Sequence, residues 1–369
     1  MWKRVCFLRK ERWWQHRFWL AGAVIVALFY GVALFADFLA PYDYRTQVRL
    51  DPFSPPATIR WRDAAGNWHW RPFIYPERLL DSLGRQYTTD TQRAYPLMLF
   101  PRGYSYRLFG LFSTNRHLFG LQSTEADAPR LYLLGSDELG RDRFSRLLLA
   151  ARFSLWVGPL GTLVASVLGI VVGCLAGYAG RWLDNLVMRA ADAMLALPAL
   201  VLILAARAAF PPELPPVRAA ALMIGIFAAL GWAEMARLTR GLVWELRQRD
   251  FVLAAVSLGA SPVRILWRHI LPNAAAPLLT QMLVILPTFL LTETSLSFLG
   301  VGLQEPEPSW GNMLTAISDL TLLQRNDLLA LLTPAFAIVL FVLGVRLLAE
   351  GIAQEQKKWA RRFAATRPG

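Results

Sequence analysis

Lysine is nearly missing from this sequence. Its 369 residues hold four, Lys3, Lys10, Lys357 and Lys358, all near the two ends. A phosphate-cradling P-loop needs a lysine directly after its glycines, and no G-K-[ST] occurs. That argues against ATP hydrolysis by this chain alone. Cysteine is equally sparse. Cys6 lies in a basic stretch and Cys174 in an apolar run, so neither a disulfide framework nor a thiolate metal site is expected. The four histidines, His16, His69, His117 and His269, are scattered, so no metal site is expected from them either. H-E-x-x-H and G-x-S-x-G are missing, which disfavours an intramembrane enzyme. Charge is also scarce. Charged residues make up 18 %, against about a quarter in average soluble domains, and hydrophobic residues reach 55 %.

What is abundant is long apolar runs. A hydrocarbon core roughly 30 Å thick needs roughly 20 apolar residues in a helix. Six stretches qualify, near 18–40, 150–178, 186–209, 218–238, 274–301 and 327–352. The predicted fold class is therefore all-α integral membrane. The formal net charge of +13 does not point to nucleic acid, because most basic residues flank the apolar runs. Stretches 1–17, 179–189, 237–273 and 353–369 hold 6, 2, 6 and 5 Lys/Arg, whereas 210–217 and 302–326 hold only Arg325. The positive-inside rule then places both termini in the cytoplasm. The first run, with Trp13, Trp14 and Trp19 at its edge, reads as a retained anchor rather than a cleaved signal. The expected organisation is a basic tail over 1–17, a first span over 18–40, an extracytoplasmic segment over 41–148, a bundle over 149–352 and a second basic tail over 353–369.

The segment 41–148 holds 15 arginines and 11 acids, too long a loop to weigh in the charge rule. Within its insert, 41–132, Ile59 and Trp61 precede a turn at 63–67, and Trp68, Trp70 and Phe73 follow, a β-hairpin pattern. The insert reads as a self-packed cap or as a docking surface. After it, Ser136 or Asp137 is predicted to cap a surface helix, with Glu138 in its first turn, that leads into the second span. That span carries small residues four apart, Gly161, Ala165, Gly169, Gly173 and Gly177. Small side chains let helices approach closely in lipid. The stripe rotates by roughly 160° over its length, which predicts contacts with more than one neighbour. Pro198, Pro287 and Pro334 are expected to kink their helices, and 309–325 to form a short surface helix.

Ionisable residues inside spans are candidates for function. Arg189 and Asp192 sit three apart, a spacing that suits a helical ion pair, and Glu234 and Arg237 repeat it. Glu293, beside Thr292 within LLTETSLSFLG, has no partner nearby in sequence. It either faces a water-filled path or hydrogen-bonds to Ser or Thr on another helix.

The stretch 250–279, DFVLAAVSLGASPVRILWRHILPNAAAPLL, is the most informative. It reads as two short helices broken at Gly259-Ala260-Ser261-Pro262, with proline welcome at the first turn of the second. Leu258, Ile265 and Leu266 are expected to pack on the bundle, while small residues at 254, 255, 259 and 260 admit another backbone. The pattern A-A-x-x-x-G (Ala254, Ala255, Gly259) followed by R-H-I-L-P-N (Arg268, His269, Pro272 and Asn273 among them) resembles the coupling loop of importer-type ABC permeases. LLGSDELGRDRFSRLLLAARFSL (133–155), LDNLVMRAADAMLALPALVL (183–202) and SLSFLGVGLQEPEPSWGNML (295–314) are similar to segments of the "C"-type subunit of oligopeptide, dipeptide and nickel permeases. Their order and spacing agree over about 133–350. Two departures stand out: Leu253 occupies the place where such loops usually carry Glu, with Asp250 the nearest acid, and the insert is long.

The resemblance implies one half of a heterodimeric pore in a bacterial inner membrane, a five-helix core plus the N-terminal anchor. It implies a second permease subunit, two cytoplasmic ATPases docked on loops such as 250–273, and a soluble extracytoplasmic binding protein that delivers substrate. ATP and Mg would bind those ATPases, with no cofactor on this chain. Peptides are the leading cargo and nickel or another small solute the runner-up. A secondary transporter or channel would leave the 250–273 pattern unexplained. A scaffold displaying 41–132 would not need the small-residue stripe.

Overall fold

The computed structural model describes residues 2–81, 86–121, 129–178, 180–211, 214–318 and 328–365. Part of the 309–325 prediction lies outside them. So do the side chains of both basic tails, except Phe18 onward and the residues up to 354. The chain divides into two compact units. One comprises Met1–Ala27, Trp156–Glu293 and Val339–Gly369, the other Leu28–Leu155 and Thr294–Ile338.

The helical skeleton follows the apolar runs. Among the described residues, four helices are long and apolar enough to cross a membrane: α3 (Arg143–Tyr178), α6 (Pro216–Arg247), α9 (Leu271–Phe298, reached through a continuous helical stretch from Pro262) and α11 (Leu328–Ala365). A fifth crossing requires α4 (Arg181–Ala196) and α5 (Ala199–Ala208), which meet at 90°. The bend has a local cause. Leu197, the residue before Pro198, is forced out of the helical region and lies extended at φ −93°, ψ 143°. Pro198 thus breaks the run rather than kinking it. Pro287 and Pro334 sit inside continuous helices. The first helix, α1 (Trp2–Leu34), contributes a shorter apolar stretch, Phe18–Leu34.

In the first unit α3 packs on more than one helix, as expected: Gly158 lies against Leu290 of α9, while the four glycines of the stripe all meet one neighbour. A Cβ at Gly161 would touch Phe227, at Gly169 the carbonyl of Trp232, at Gly173 the carbonyl of Ala236, and at Gly177 Val243, all on α6. Gly231 of α6 lies against Ala165. The contacts on α6 recur every four residues as well, so both rows drift in the same sense and stay in register as the helices wrap. Gly22 and Gly344 give α1 and α11 a similar close approach.

The second unit holds the insert. After α1 comes a short helix, α2 (Ala36–Leu39), then an antiparallel four-stranded sheet ordered β1 (Arg60–Arg62), β2 (Trp68–Ile74), β5 (Tyr95–Leu99) and β8 (Phe119–Leu121). Two hairpins flank it, β3 (Glu77–Asp81) with β4 (Gln86–Thr89) and β6 (Arg102–Leu108) with β7 (Phe112–Arg116). The β1–β2 turn is built on Asp63. Its carboxylate accepts from the Asn67 amide at 2.8 Å and contacts His69 Nε2 at 3.0 Å, and the His69 contact above all holds its pKa down at about 2. Phe73 turns inward and is buried, but Trp61, Trp68 and Trp70 do not self-pack. Trp70 is 99 % exposed.

His117 ties the insert to the chain leaving α1. Its ring is buried, with Nδ1 3.0 Å from the Asp37 carbonyl and Nε2 3.1 Å from that of Tyr104. The start of α3 also differs from expectation. The helix begins at Arg143 and runs unbroken to Tyr178, so no separate surface helix precedes it. Its cap is Asp142, whose Oδ2 accepts from the Ser145 amide at 2.9 Å and its hydroxyl at 2.6 Å. Ser136 and Asp137 belong instead to the turn before it.

Candidate functional site

The segment between α6 and α9 is built of short helical pieces. α7 (Asp250–Ser257) opens with Asp250, whose charge suits the positive end of the helix. The chain then turns through Gly259 at φ +75°, in the left-handed region that favours glycine. α8 (Pro262–Ile265) starts with Ser261 as its cap, accepting from the Arg264 amide, and with Pro262 in its first turn. A wide π turn over Leu266–Ile270 then joins it to α9. The π turn explains the R-H-I-L-P-N pattern. Pro272 cannot donate to the ladder and its ring crowds the preceding turn. The widened turn accommodates it, and the Asn273 side-chain amide donates to the His269 carbonyl at 2.6 Å.

The loop has a buried side and an open one. Val252, Ile265 and Ile270 are buried in a cluster with Cys174 and Val243, and Leu266 packs against it in part. Each buried aliphatic contributes about 1.5–3 kcal/mol by leaving water, which holds the loop in one shape. On the other face Leu253, Val256, Val263 and Trp267 are open, and Leu258 is 89 % exposed. Leu258 therefore does not pack on the bundle as expected. Ala254 faces solvent, Ala255 is buried, and nothing approaches Gly259. Arg268, Pro272 and Asn273 are exposed and His269 is half-buried. Exposed apolar side chains gathered on one side of a loop are what contact with a partner or with lipid requires.

The charges expected within the spans pair between helices rather than along them, which corrects both predicted i,i+3 pairs. Arg237 of α6 binds Asp192 of α4, and Glu234 accepts from Gln281 of α9 at 2.7 Å. Arg240 grips Asp184 with two bonds of 2.8 and 2.6 Å and stacks over Trp244. Arg189 is exposed. Glu293 is fully buried, and Thr292 returns its hydroxyl to the Thr288 carbonyl of its own helix at 2.7 Å.

Sequence reasoning missed a charged clamp in the second unit. Arg141 Nε lies 2.6 Å from Asp137 Oδ2, and its Nη1 lies 2.6 Å from Glu305. Arg146 Nη2 reaches the other oxygen of Glu305 at 2.7 Å. Both guanidinium groups are buried, while Glu305 is half-exposed. Glu307 receives the Tyr44 hydroxyl at 2.6 Å and also binds Arg45. Nearby, Trp310 opens α10 (Trp310–Leu314), is 1 % exposed and donates its indole N–H to the Leu147 carbonyl. The motifs at 133–155 and 295–314 thus meet in space. The sequence signal for this is slight: 133–155 is rich in charge, whereas 295–314 carries only Glu305 and Glu307.

A family model described as the binding-protein-dependent transport system inner membrane component matches residues 169–358, and one for the N-terminal TM domain of oligopeptide transport permease C matches residues 2–56. Residues 57–168 lie outside both. The chain is 37 % identical to the dipeptide transport system permease protein DppC of Alkalihalophilus pseudofirmus, over 59 % of this chain and 69 % of the relative. It is 34 % identical to the DppC of Bacillus subtilis, over 59 % and 66 %, and 36 % identical to the oligopeptide transport system permease protein OppC of that organism, over 51 % and 60 %.

Proposed function

The chain belongs to the family of binding-protein-dependent transport system inner membrane components, and on that premise we propose that it forms half of a peptide-conducting pore driven by a separate ATPase. Loop 250–273 is the ATPase contact. The observation that carries this reading is its division into a buried anchor, Val252, Ile265 and Ile270, and an open apolar rim including Leu253, Leu258 and Trp267. A helix merely lying on a membrane would not need the π turn and the Asn273 bond that fix the rim in place. Leu253 offers the partner an apolar contact where related loops offer an acid, leaving Asp250 as the nearest carboxylate.

Both termini lie in the cytoplasm with this loop, and the insert lies on the opposite side, where a binding protein delivers cargo. A second permease subunit completes the pore and two ATPases bind ATP and Mg. ATP-driven closure of the ATPases moves the loops and biases the pore between inward-open and outward-open states, a rigid-body switch between two packings. The names of the relatives favour di- and oligopeptides as cargo over nickel or another solute.

Purification of the tagged chain from its native membrane, with uptake of labelled peptides by the reconstituted complex, tests the proposal. An ATPase is expected to co-purify, and Gly259→Trp is expected to abolish uptake. If no ATPase accompanies the chain and Gly259→Trp leaves uptake intact, the importer reading fails. If the complex forms but transports no peptide, only the cargo assignment falls.

A further inference from the structure

The tip of the β6–β7 hairpin is built against the rules for a water-exposed turn. Phe109 and Gly110 are its central residues, at φ 54° and 72°, closed by the Leu111 amide on the Leu108 carbonyl. Such a turn favours Asn-Gly or Asp-Gly, because a bulky residue at positive φ is strained by about 1–2 kcal/mol. Here a phenylalanine takes that position, and Leu111 and Phe112 beside it are 78 % and 67 % exposed. Nothing in the folding of a soluble hairpin asks for this. Strain kept at an exposed position points to a function for that position.

The location of the tip says what it meets. The Phe109 ring stands edge-on to Phe35 at 5.3 Å, immediately after the last residue of α1. Leu28 and Leu34 on that helix, and Phe35 just beyond it, are themselves open. Exposed apolar residues at the end of α1 thus meet those of the hairpin tip at the Phe35–Phe109 contact. Arg107, exposed one residue before the tip, is placed to reach a phosphate while the apolar residues sit deeper. We propose that residues 108–112 dip into the bilayer interface and anchor the insert to phospholipid beside α1. Residues 108–112 lie in the segment that neither matching family model covers.

The test places single cysteines at Leu111, Phe112 and, as a control, Ala65 in the turn of the β1–β2 hairpin, in a background lacking Cys6 and Cys174. Each is labelled with an environment-sensitive fluorophore in the full chain reconstituted into phospholipid vesicles. The labels at 111 and 112 should be quenched by shallow doxyl-lipids and be about threefold less open to aqueous iodide than the label at 65, as expected for side chains buried roughly 5–10 Å into the interface. Iodide access equal to that at 65, without doxyl quenching, would overturn the proposal. Protection that appears only when the binding protein is added would overturn it too, because the tip would then be a protein-docking surface. All three labelled sites are exposed, so loss of fold is not expected to confuse the result.

Discussion

Replacing Gly173 by alanine adds one methyl group where α3 and α6 touch. That carbon would lie 2.5 Å from the Ala236 carbonyl oxygen and 2.7 Å from Thr239 Cβ. The oxygen belongs to the backbone of a helix and cannot rotate aside, so α6 must withdraw by several tenths of an ångström. Overpacking of that kind costs about 1–3 kcal/mol. A clash with backbone belongs to the upper part of that range, about 2–3 kcal/mol, and alanine returns about 1 kcal/mol as the better helix former, so a net loss of roughly 1–2 kcal/mol is expected. The same change at Gly241 in α6 meets nothing within 4 Å and should give only the gain. Thermal unfolding of both purified variants in one detergent therefore predicts shifts of opposite sign from one chemical substitution. Shifts of the same sign, or an unchanged midpoint for Gly173→Ala, would refute the claim that the stripe is held at van der Waals contact by a single helix.

Three further outcomes follow from other parts of the molecule. Burial pushes the Asp142 carboxyl from 3.8 up to about 6, so the folded chain keeps this proton to higher pH than the unfolded one, and stability declines as pH rises between about 4 and 6. Asp142→Asn keeps an oxygen for the Ser145 amide without the charge, and should exceed the parent by up to about 3 kcal/mol at pH 7.5 while matching it near pH 4; parallel pH profiles would contradict this. Glu305→Gln removes the shared carboxylate of two buried guanidinium groups. Because Glu305 is half in water the cost is put at about 1–3 kcal/mol, read as faster amide exchange over 303–312. Trp267→Ala should leave the unfolding midpoint within about 0.5 kcal/mol, since the side chain is 71 % exposed, yet lower ATPase co-purification about tenfold, or 1.4 kcal/mol. A large midpoint shift with intact co-purification would assign Trp267 to folding instead.

Features set by neighbours in the chain were legible without coordinates. Apolar length marks the membrane helices, because lipid demands internal hydrogen bonding over its whole thickness. The break at Gly259–Pro262 and the cap that follows it depend on residues within one turn of each other, as does the turn built on Asp63. Asp142 escaped notice as the cap of α3 because Ser136 and Asp137 carry the same chemistry a few residues earlier, and only the packed turn decides between them.

What tertiary structure alone decided is the choice of partner. Arg189 and Asp192 have suitable helical spacing, yet Asp192 binds Arg237, 45 residues away, because the bend at Leu197-Pro198 leaves α4 alongside α6. Arg141 and Arg146 find Glu305 across 164 and 159 residues, a pairing no local spacing encodes. The glycine stripe announced a close contact but not its partner, since rotation along one helix reveals nothing about rotation along the other. Sequence by itself determined that this is a multi-helix membrane chain with an ordered loop and no P-loop. Which face of that loop is anchored, which helix the glycines meet and where the hairpin tip lies required the fold, because each depends on surfaces that meet only after the chain has closed.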